Sequence, residues 1–354
     1  MKMFYNAIII GAGVAGNRVA EILSKKGLRV LVVEEHLKVG LPKKCTGLVS
    51  QRIKEILPNL DEEIFLNEIR VGSFIFGDKT FELRPKTKLY VIDRVKLDHF
   101  LFERASSNGA EYKFGERFTR AKVLNDRVIV ETTKGRYEGD ILIGADGAFS
   151  TVAKNFGLFE EGEFFIGLQS TVKGNYEKDR MEIWFGEDIA PNFFAWVVPL
   201  DSKNARVGLA TKKNTLLYLK KFMRKRTKTF VEPDTCGIIK FGLIKKTVSN
   251  RVLLVGDAAM QVKPFTGGGI IYSLIASEVA SLSILKAFKN KNYTEKFLTR
   301  NYEKIWREKL ESGIRRGLML RKIFYSFSDI SIYIWFSVIP YFKTILENID
   351  YDLL

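Results

Sequence analysis

The sequence contains little sulfur, little imidazole and no excess of acid. Two cysteines and two histidines in 354 residues argue against a disulfide scaffold, a Cys/His zinc site and a histidine-rich metal centre, so we expect no metal. Eight prolines and 28 glycines form no repeat, which excludes collagenous and low-complexity chains. With 46% hydrophobic and 28% charged residues, the composition suits one or two globular domains.

Long apolar runs are also scarce. The charge-free stretch 330–342 covers only 13 residues between Asp329 and Lys343, whereas a helix needs roughly 20 residues to span a bilayer. The first residues enter a strand pattern and carry no small-residue cleavage site, so we expect no signal peptide. These features predict a cytoplasmic protein.

Positive charge is abundant. Lys+Arg number 57 against 41 Asp+Glu, a formal charge of +16, which favours nucleic acid, an anionic membrane surface or a phosphorylated substrate. Residues 212–228 contain eight Lys/Arg and no acid among several large apolar residues. This pattern is typical of a helix that contacts membranes or phosphates, and equally of a solvated helix with one core face. No nucleic-acid recognition motif accompanies it, so we expect no nucleic-acid partner.

A glycine-rich segment near the N-terminus gives the first chemical signal. The apolar run 7–10 leads into the sequence GAGVAG, a helical pattern follows, and the next apolar run ends at Glu34. In this order Gly11 permits a tight turn, Gly13 admits a pyrophosphate and Gly16 lets helix and strand pack closely. Glu34 is placed to accept hydrogen bonds from an adenosine ribose. The segment therefore predicts a dinucleotide site.

Two later segments follow the same logic. The segment 137–149 contains an apolar run that ends in Asp146, and the run 251–256 ends in Asp257 and is followed by the glycine-rich segment 264–270. An acid at the edge of a parallel sheet can hold polyol hydroxyls, while the start of a helix faces a negatively charged ring edge. This arrangement suits a flavin better than a nicotinamide.

Together the three motifs resemble those of the FAD-dependent oxidoreductases of the p-hydroxybenzoate hydroxylase fold, which carry GxGxxG, DG and GD motifs in this order. The resemblance implies an α/β protein with a Rossmann-like domain and FAD as cofactor. It also implies that FAD contacts Gly11, Gly13, Ala15, Gly16, Glu34, Cys45, Thr46, Gly47, Arg94, Ala121, Asp146, Asp257, Gly268, Gly269 and Ile270. Arg94 is explained equally well as a surface arginine that caps the following helix.

Between the DG and GD motifs, apolar residues alternate with period two in four short runs, at 164–172, 181–185, 193–197 and 205–209. They predict an inserted antiparallel sheet with one covered face. The segment 191–199 resembles the PxxYxWxFP signature of the geranylgeranyl reductase family, which saturates isoprenoid double bonds. Phe194 stands in place of the tyrosine, and the resemblance implies that Phe194 and Trp196 bind substrate. A core strand that contains a tryptophan between two prolines is the plainer interpretation.

A short loop that contains Cys45 resembles a cysteine-containing loop found near the flavin in the same family. The resemblance implies a catalytic role for Cys45, although a small apolar residue packed under a loop explains it as well. Two motifs depart from the family pattern: 256–260 reads GDAAM in place of GDAAG, and 264–270 reads PFTGGGI in place of PxTGEGI. These departures leave the FAD motifs intact.

The chemistry implied by the resemblance is the reduction of an isolated alkene. Hydride transfer alone would leave an unstabilised carbanion, so we expect protonation of the less substituted carbon, coupled to hydride delivery from reduced FAD. Aromatic faces such as Trp196 would stabilise the positive charge that develops. Cys45 and a water molecule are both sensible proton donors. With a single dinucleotide motif, both NAD(P)H and a ferredoxin remain candidate electron donors.

We therefore predict an FAD-dependent reductase of geranylgeranyl chains in a polyprenyl diphosphate or archaeal-type ether lipid precursor, peripheral on the inner face of the cell membrane. The basic stretch 212–228 would hold the substrate head group. A flavin monooxygenase of an apolar substrate and a non-enzymatic lipid-binding flavoprotein are the alternatives. The predicted domains are an FAD-binding domain at 1–60, 91–152 and 245–289, a substrate domain at 61–90 and 153–244, and a helical C-terminal region at 290–354.

Overall fold

The computed structural model describes residues 3–348 and 352. Contacts divide the chain into two compact units. The first unit comprises Met1–Leu41, Val95–Glu163 and Lys240–Arg315. The second comprises Pro42–Arg94, Phe164–Ile239 and Arg316–Leu354.

Strands occur in both units. In chain order they are β1 (Phe4–Ile10), β2 (Val30–Glu34), β3 (Leu48–Ser50), β4 (Phe65–Ile69), β5 (Val71–Phe76), β6 (Lys79–Leu83), β7 (Leu89–Ile92), β8 (Glu111–Phe114), β9 (Phe118–Val123), β10 (Val128–Thr132), β11 (Arg136–Gly144), β12 (Glu163–Lys173), β13 (Arg180–Phe185), β14 (Ala195–Pro199), β15 (Asn204–Thr211), β16 (Thr235–Phe241), β17 (Val248–Ser249) and β18 (Val252–Leu254).

The α-helices are α1 (Val14–Lys25), α2 (Arg52–Ile56), α3 (Arg94–Ser107), α4 (Thr151–Asn155), α5 (Thr215–Thr227), α6 (Ile270–Lys289), α7 (Glu295–Leu298), α8 (Lys304–Phe324), α9 (Asp329–Val338) and α10 (Lys343–Glu347). Short 3-10 helices lie at Glu62–Ile64, Gly256–Ala259 and Ile339–Phe342, and a π-helix lies at Thr299–Glu303.

The first unit is built on a largely parallel sheet. Within the described residues the order is β17-β18-β11-β1-β2-β8, with β10 and β9 attached to β11 as an antiparallel extension. β18, β11, β1, β2 and β8 run parallel. Helices α1 and α6 pack against each other in this unit, and the central strands are apolar along almost their whole length, as expected for a sheet covered on both faces. This is the predicted α/β dinucleotide-binding architecture.

The second unit contains a seven-stranded sheet of order β16-β12-β15-β14-β13-β5-β6. β12, β15, β14 and β13 are antiparallel neighbours, as the period-two runs predict. β5 joins β13 in parallel because it comes from a separate, earlier chain segment, which makes the sheet mixed rather than purely antiparallel. A small sheet of order β3-β7-β4 completes the unit among the described residues.

The units differ from the predicted domains by short segments at 91–94, 153–163 and 240–244, and more widely at 42–60 and in the C-terminal region 290–354, which divides between the two units. Residues 42–60 belong to the second unit because β3 pairs with β7 there. Residues 290–315 belong to the first unit, where Tyr302 donates a hydrogen bond to the Leu254 carbonyl (2.5 Å) and Trp306 Nε1 donates to Thr247 Oγ1 (3.0 Å). The two wider differences arise from long-range contacts that no local pattern reveals.

Among the described residues, one helix is long and apolar enough to cross a membrane. This helix is α6, and 72% of its 18-residue apolar window is buried inside the protein. Its apolar length is accounted for by packing in the core of the first unit.

Candidate active site

The turn between β1 and α1 depends on two glycines that allow backbone segments to meet. Gly11 has a φ of +103°, and its N–H donates to the Val33 carbonyl at 2.8 Å. A Cβ at Gly11 would lie 2.4 Å from the Ala145 carbonyl oxygen, and a Cβ at Gly16 would lie 1.9 Å from the Gly11 carbonyl oxygen. Neither position can accept a side chain without moving the main chain.

Gly13 differs from its two neighbours in the motif. Its φ of −78° is accessible to any residue, and a Cβ built there meets no atom within 4 Å. Gly13 is the residue before α1, a helix of 12 residues whose first N–H groups and dipole favour negative charge. The open space at Gly13 therefore fits a pyrophosphate group.

Glu34 ends β2 beside this turn. Its Oε2 accepts a hydrogen bond from the Ala12 N–H at 2.7 Å, while its Oε1 accepts from the His36 N–H at 2.9 Å and lies 2.5 Å from His36 Nδ1. A carboxylate has about four acceptor sites, so these contacts orient Glu34 and leave capacity for a ribose hydroxyl. The structure thus places Glu34 beside the glycine turn, and its contact with the ribose stays a prediction.

The turn at 256–257 brings the starts of two helices together. Gly256 has a φ of +70°, and a Cβ there would lie 2.9 Å from the Ala15 Cβ, in α1, and 3.2 Å from Ser273 Oγ, in α6. A Cβ at Gly269, the residue before α6, would lie 3.0 Å from Asp257 Oδ1. The GD motif and the start of α6 therefore form one local site, as predicted.

The loop that precedes α6 is held by hydrogen bonds between its own main-chain groups. The Lys263 N–H donates to the Gly268 carbonyl at 3.0 Å, and the Gly267 N–H donates to the Lys263 carbonyl at 2.9 Å. Ile270 follows as the first residue of α6 and is buried. A compact glycine loop at the start of a 20-residue helix presents main-chain N–H groups to a ring edge.

Asp146 has a structural task that the sequence did not reveal. Its Oδ2 accepts hydrogen bonds from the Thr151 and Val152 N–H groups at 2.7 and 3.1 Å, and its Oδ1 accepts from Ser150 Oγ at 2.6 Å. Burial raises the pKa of the carboxyl above its usual range, and these donors oppose the rise. Asp146 thus organises the start of α4, and its contact with FAD stays a prediction.

Two further predicted cofactor residues also have defined surroundings. The Ala121 N–H donates to Asn155 Oδ1 at 3.1 Å, and Asn155 Nδ2 donates to the Ala121 carbonyl at 3.0 Å. Arg94 is half-buried and is the first residue of α3, so it does lie at a helix start, as its alternative interpretation expects. Their roles toward FAD stay predictions.

In the second unit, the Cys45 loop is held by backbone and side-chain contacts from distant strands. Gly47 has a φ of +74°, and a Cβ there would lie 2.4 Å from the Ile92 carbonyl oxygen. Arg206 Nη1 donates to the Ile92 carbonyl at 3.0 Å and also to the Thr46 carbonyl. Burial lowers the pKa of Arg206, while the nearby Cys45 thiol opposes that change. Cys45 is a free, half-buried thiol whose Sγ accepts from the Gly47 N–H at 3.2 Å.

One buried amide links this loop to the predicted substrate residue. Thr46 Oγ1 and Trp196 Nε1 donate to the same oxygen, Gln169 Oε1, at 2.8 and 2.9 Å. The indole ring lies across Gly208 on the neighbouring strand, where a Cβ would be 2.7 Å from the ring. The structure therefore brings Thr46 and Trp196 together, and Trp196 has a fixed orientation.

Phe194 continues the aromatic surface beside Trp196. Its ring stacks on Phe193 with centroids 4.4 Å apart and meets the Trp196 ring edge-on at 6.1 Å. Phe194 also lies 6.0 Å from Phe185, which belongs to an aromatic cluster formed with the C-terminal helices. The C-terminal aromatic region thus packs partly as core of the second unit.

The basic stretch lies on the other side of this sheet. It forms α5, which buries Leu219 and Phe222 against Ala195 and Val197. Trp196 stands between those two strand residues and therefore points to the opposite face. A lipid bound at Trp196 would therefore have its head group on the face of the sheet opposite to α5. The structure does not support the expected binding of the substrate head group by residues 212–228.

Four residues of the site escaped sequence reasoning, and two of them left a readable signal. Gly208 and Gly237 interrupt strands, which indicates close approach of another group, and a Cβ at Gly237 would lie 2.3 Å from the Lys44 carbonyl oxygen. Arg206 gave no signal, because it occupies a polar position of the period-two alternation in β15. Gln169 gave none either, because its partners are more than 25 residues away along the chain.

The first unit, with its glycine turn, its acid after β2 and its GD turn at the start of α6, defines a dinucleotide-binding flavoprotein. The model of the FAD binding domain family matches residues 5–202, so the chain belongs to this family and its cofactor is FAD. Digeranylgeranylglycerophospholipid reductase 2 of Methanothermobacter thermautotrophicus is 30% identical over 346 residues, which cover 92% of this chain and 89% of that relative. The chain therefore belongs to the digeranylgeranylglycerophospholipid reductase family.

Solved structures agree in fold. A geranylgeranyl bacteriochlorophyll reductase-like protein from Thermoplasma acidophilum matches with a TM-score of 0.88 and 21% identity, covering 96% of this chain and 92% of that chain. The p-nitrophenol 4-monooxygenase of Pseudomonas putida matches with a TM-score of 0.77 and 17% identity, covering 96% and 94%. The fold predicted from the sequence is confirmed, and it is shared by reductases and monooxygenases.

Proposed function

We propose that this protein is an FAD-dependent oxidoreductase that saturates the geranylgeranyl double bonds of an ether-lipid precursor. The observation that carries the proposal is the aromatic wall of Phe194 and Trp196, fixed by Gln169, in a chain whose other unit carries the FAD motifs. An aromatic surface of this kind suits an apolar chain that has double bonds but no polar groups.

The residues of the second unit can favour the transition state of alkene reduction. FAD, when bound and reduced, would supply the hydride. Trp196 presents a buried aromatic face to the carbon that gains positive charge, and a cation–π contact of this kind contributes ~2 kcal/mol when water is excluded. The hydrogen bond to Gln169 holds the indole in place, so this stabilisation requires no reorientation during the reaction.

The less substituted carbon must receive a proton. We propose the Cys45 thiol as its donor, since Cys45 is free, half-buried and tied to the loop that Gln169 and Arg206 hold. One hydride and one proton then add two hydrogens to each double bond. If Cys45 supplies the proton, the rate of alkene reduction will fall sharply in Cys45→Ser while its FAD content stays unchanged. If a bound water supplies the proton instead, Cys45→Ser will reduce the alkene at the wild-type rate.

The electron donor and the cellular location belong to the same proposal. A net charge of +16 favours encounter with an acidic redox protein such as a ferredoxin, and NAD(P)H is the second candidate. Flavin reduction rates measured with each donor across ionic strength distinguish them, because only association with an acidic protein weakens strongly with salt. We further propose that the protein is cytoplasmic and peripheral on the inner face of the membrane, where a lipid substrate resides.

An anaerobic reaction tests the proposed activity. The bound flavin is reduced with dithionite, the geranylgeranyl lipid is added, and the lipid is analysed by mass spectrometry. The proposal expects a gain of two hydrogens per double bond without oxygen. Product that forms only with oxygen would favour the monooxygenase alternative, and an unchanged lipid under both conditions would favour a lipid-binding flavoprotein.

A further inference from the structure

The C-terminal helices of the second unit carry a set of exposed apolar side chains. Seven large apolar residues within positions 330–345 are each at least 45% exposed. We call them the C-terminal apolar face: Ile330, Ile334, Trp335, Val338, Tyr341, Phe342 and Ile345. Single exposed apolar residues are ordinary, but such a concentration marks an interaction surface.

Helix α9 is apolar on two opposite sides. Ile332 and Phe336, one turn apart, are buried in the aromatic cluster of the second unit. Ile330, Ile334 and Val338, also one turn apart, lie on the opposite side and are exposed. A helix with apolar residues on opposite sides is normally enclosed by protein or by lipid, and here the described residues of the chain cover only one side.

The composition of the face fits the interfacial layer of a bilayer. Trp335 and Tyr341 combine an apolar ring with a polar tip, the residue types that concentrate at the level of lipid head groups. The apolar stretch 330–342 is too short to span a bilayer. It can therefore lie in the plane of the surface with its outer side in the acyl boundary.

Positive charge lies along one edge of the face. Residues 79–88 contain four Lys/Arg and one acid, and they lie beside α10 because the Arg84 N–H donates to Glu347 Oε1 at 2.7 Å and the Lys86 N–H to the Glu347 carbonyl at 3.1 Å. Lys79 Nζ lies 4.9 Å from the centre of the Tyr333 ring, on α9. Each cation near an anionic lipid surface contributes ~1 kcal/mol to binding.

The same charges disfavour a second copy of the chain as the occupant. A symmetric dimer through this face would place two basic rims in one interface, because a twofold interface uses the same surface of both copies. Like charges in that position oppose association. An anionic bilayer satisfies both the apolar face and its rim.

Helix α5 is the competing candidate for membrane contact, and it is weaker. Its large exposed apolar residues are Leu216 and Leu217. Several of its cations already have partners within the unit: Arg226 pairs with Glu182, and Lys220 lies 4.9 Å from the centre of the Phe230 ring. Charge alone therefore does not make α5 the membrane surface.

We propose that the C-terminal apolar face and its basic rim bind the surface of an anionic bilayer, with α9 lying in the plane of the interface. An aromatic path leads inward from the buried side of this helix: Phe336 to Phe185 at 6.0 Å, Phe185 to Phe194 at 6.0 Å, and Phe194 to Trp196 at 6.1 Å. A lipid chain that leaves the bilayer under α9 would follow this path. Only this last step rests on the proposed function.

Vesicle flotation of the full-length holoprotein tests the surface. The vesicles are phosphatidylcholine with one quarter phosphatidylglycerol, or phosphatidylcholine alone. We expect the wild type to float with the anionic vesicles and the variant Ile330→Gln/Ile334→Gln/Tyr341→Gln to bind at least about tenfold more weakly, since three apolar side chains leave the contact. A matched control replaces three exposed leucines of the first unit, Leu37→Gln/Leu124→Gln/Leu282→Gln, and should bind as the wild type does.

Four outcomes would overturn the proposal. The first two are that the wild type does not bind anionic vesicles, or that the triple variant binds them as well as the wild type does. The third is that Leu216→Gln/Leu217→Gln loses binding instead of the triple variant. The fourth is that the wild type forms a dimer, the triple variant is monomeric, and neither protein binds vesicles. Failure of the proposed function is recognised separately. Alkene reduction in detergent should persist in the triple variant. A wild-type protein that floats with vesicles but reduces no lipid contradicts only the proposed function. A wild-type protein that reduces lipid in detergent but never floats contradicts only the proposed membrane surface.

Discussion

The turn at 11–16 and the loop at 43–47 use glycine in the same way but are held differently. A Cβ at Gly11 or at Gly47 would lie 2.4 Å from a carbonyl oxygen of another segment. The first turn is fixed by main-chain contacts of adjacent parallel strands and by the Glu34 carboxylate at the end of β2. The second also has main-chain contacts, such as the Ile92 N–H donating to the Gly47 carbonyl at 2.8 Å. It depends in addition on the side chains of Arg206 and Gln169, which lie 160 and 123 residues away from Thr46. Cofactor binding therefore depends mainly on the geometry of neighbouring strands, whereas the proposed substrate site depends more on long-range side chains.

The largest effects should come from adding side chains at two glycines of the first turn, because one substitution should disrupt folding and the other only cofactor binding. Gly16→Val forces a side chain to within 1.9 Å of the Gly11 carbonyl oxygen, so we expect loss of several kcal/mol of folding free energy, at or beyond the ~1–3 kcal/mol usual for overpacking. The Cβ of Gly13→Leu meets no protein atom within 4 Å, so this variant should fold normally yet lose its flavin.

Thermal unfolding and flavin absorbance of the purified proteins distinguish these two results. The Gly13→Leu apoprotein should melt with the wild-type apoprotein and carry no yellow chromophore. A Gly13→Leu protein with a full complement of FAD would contradict the assignment of the open space to the pyrophosphate. A stable Gly16→Val protein would contradict the packing role of Gly16.

The next effect concerns the aromatic wall. Trp196→Ala should slow reoxidation of the reduced flavin by the geranylgeranyl lipid about 30-fold or more, because a desolvated cation–π contact of ~2 kcal/mol is lost. FAD content should remain normal. The matched control is Trp184→Ala, which removes an indole from the opposite face of the same sheet, where Trp184 contacts Phe222 of α5. Equal rates in the two variants, measured by anaerobic stopped flow, would show that the Trp196 face is not the substrate wall.

A smaller effect should follow from removing the amide that orients the Cys45 loop and Trp196 while both aromatic rings of the wall remain. Gln169→Met removes the acceptor shared by Thr46 and Trp196, and the loss of about 1 kcal/mol of orientation should slow reduction about fivefold to tenfold. Gln169→Glu keeps an oxygen for both donors and should recover most of the rate. If the two variants behave alike in single-turnover assays with equal FAD content, Gln169 serves packing only.

The smallest predicted effect lies in the first unit, at the long-range contacts of Lys240. Lys240 Nζ donates to the Glu160 carbonyl at 2.5 Å and lies 3.7 Å from the centre of the Phe159 ring. Burial lowers the pKa of Lys240 from 10.5 to about 8. Between these values the unfolded chain binds more protons than the folded one, so the free energy of unfolding should gain a positive contribution as pH rises from about 8 to 10.5.

Urea unfolding across this pH range measures that contribution. Lys240→Met cannot titrate, so its free energy of unfolding should rise less with pH than that of the wild type. Parallel curves for the two proteins would mean that Lys240 keeps its ordinary pKa in the folded state.

The same contrast explains which features could be predicted. The parallel sheet, the glycine turn, Glu34 and the GD turn follow from short-range patterns, because a strand, a turn and a helix start are each determined by neighbouring residues. The capping role of Asp146 could not be predicted, because it depends on where the N–H groups at the start of α4 lie in space. The contacts of Gln169 and the unit to which residues 42–60 belong required the pairing of strands far apart in sequence, which one sequence does not specify.

The most direct test of the central claim is the stoichiometry of one anaerobic turnover. The holoprotein is reduced with one equivalent of dithionite, mixed with geranylgeranyl lipid, and followed by flavin absorbance while the lipid is quantified by mass spectrometry. We predict that each flavin reoxidised corresponds to one double bond saturated, and that Trp196→Ala reoxidises its flavin about 30-fold more slowly under the same conditions. Flavin that stays reduced in the wild type until oxygen is admitted would contradict this prediction.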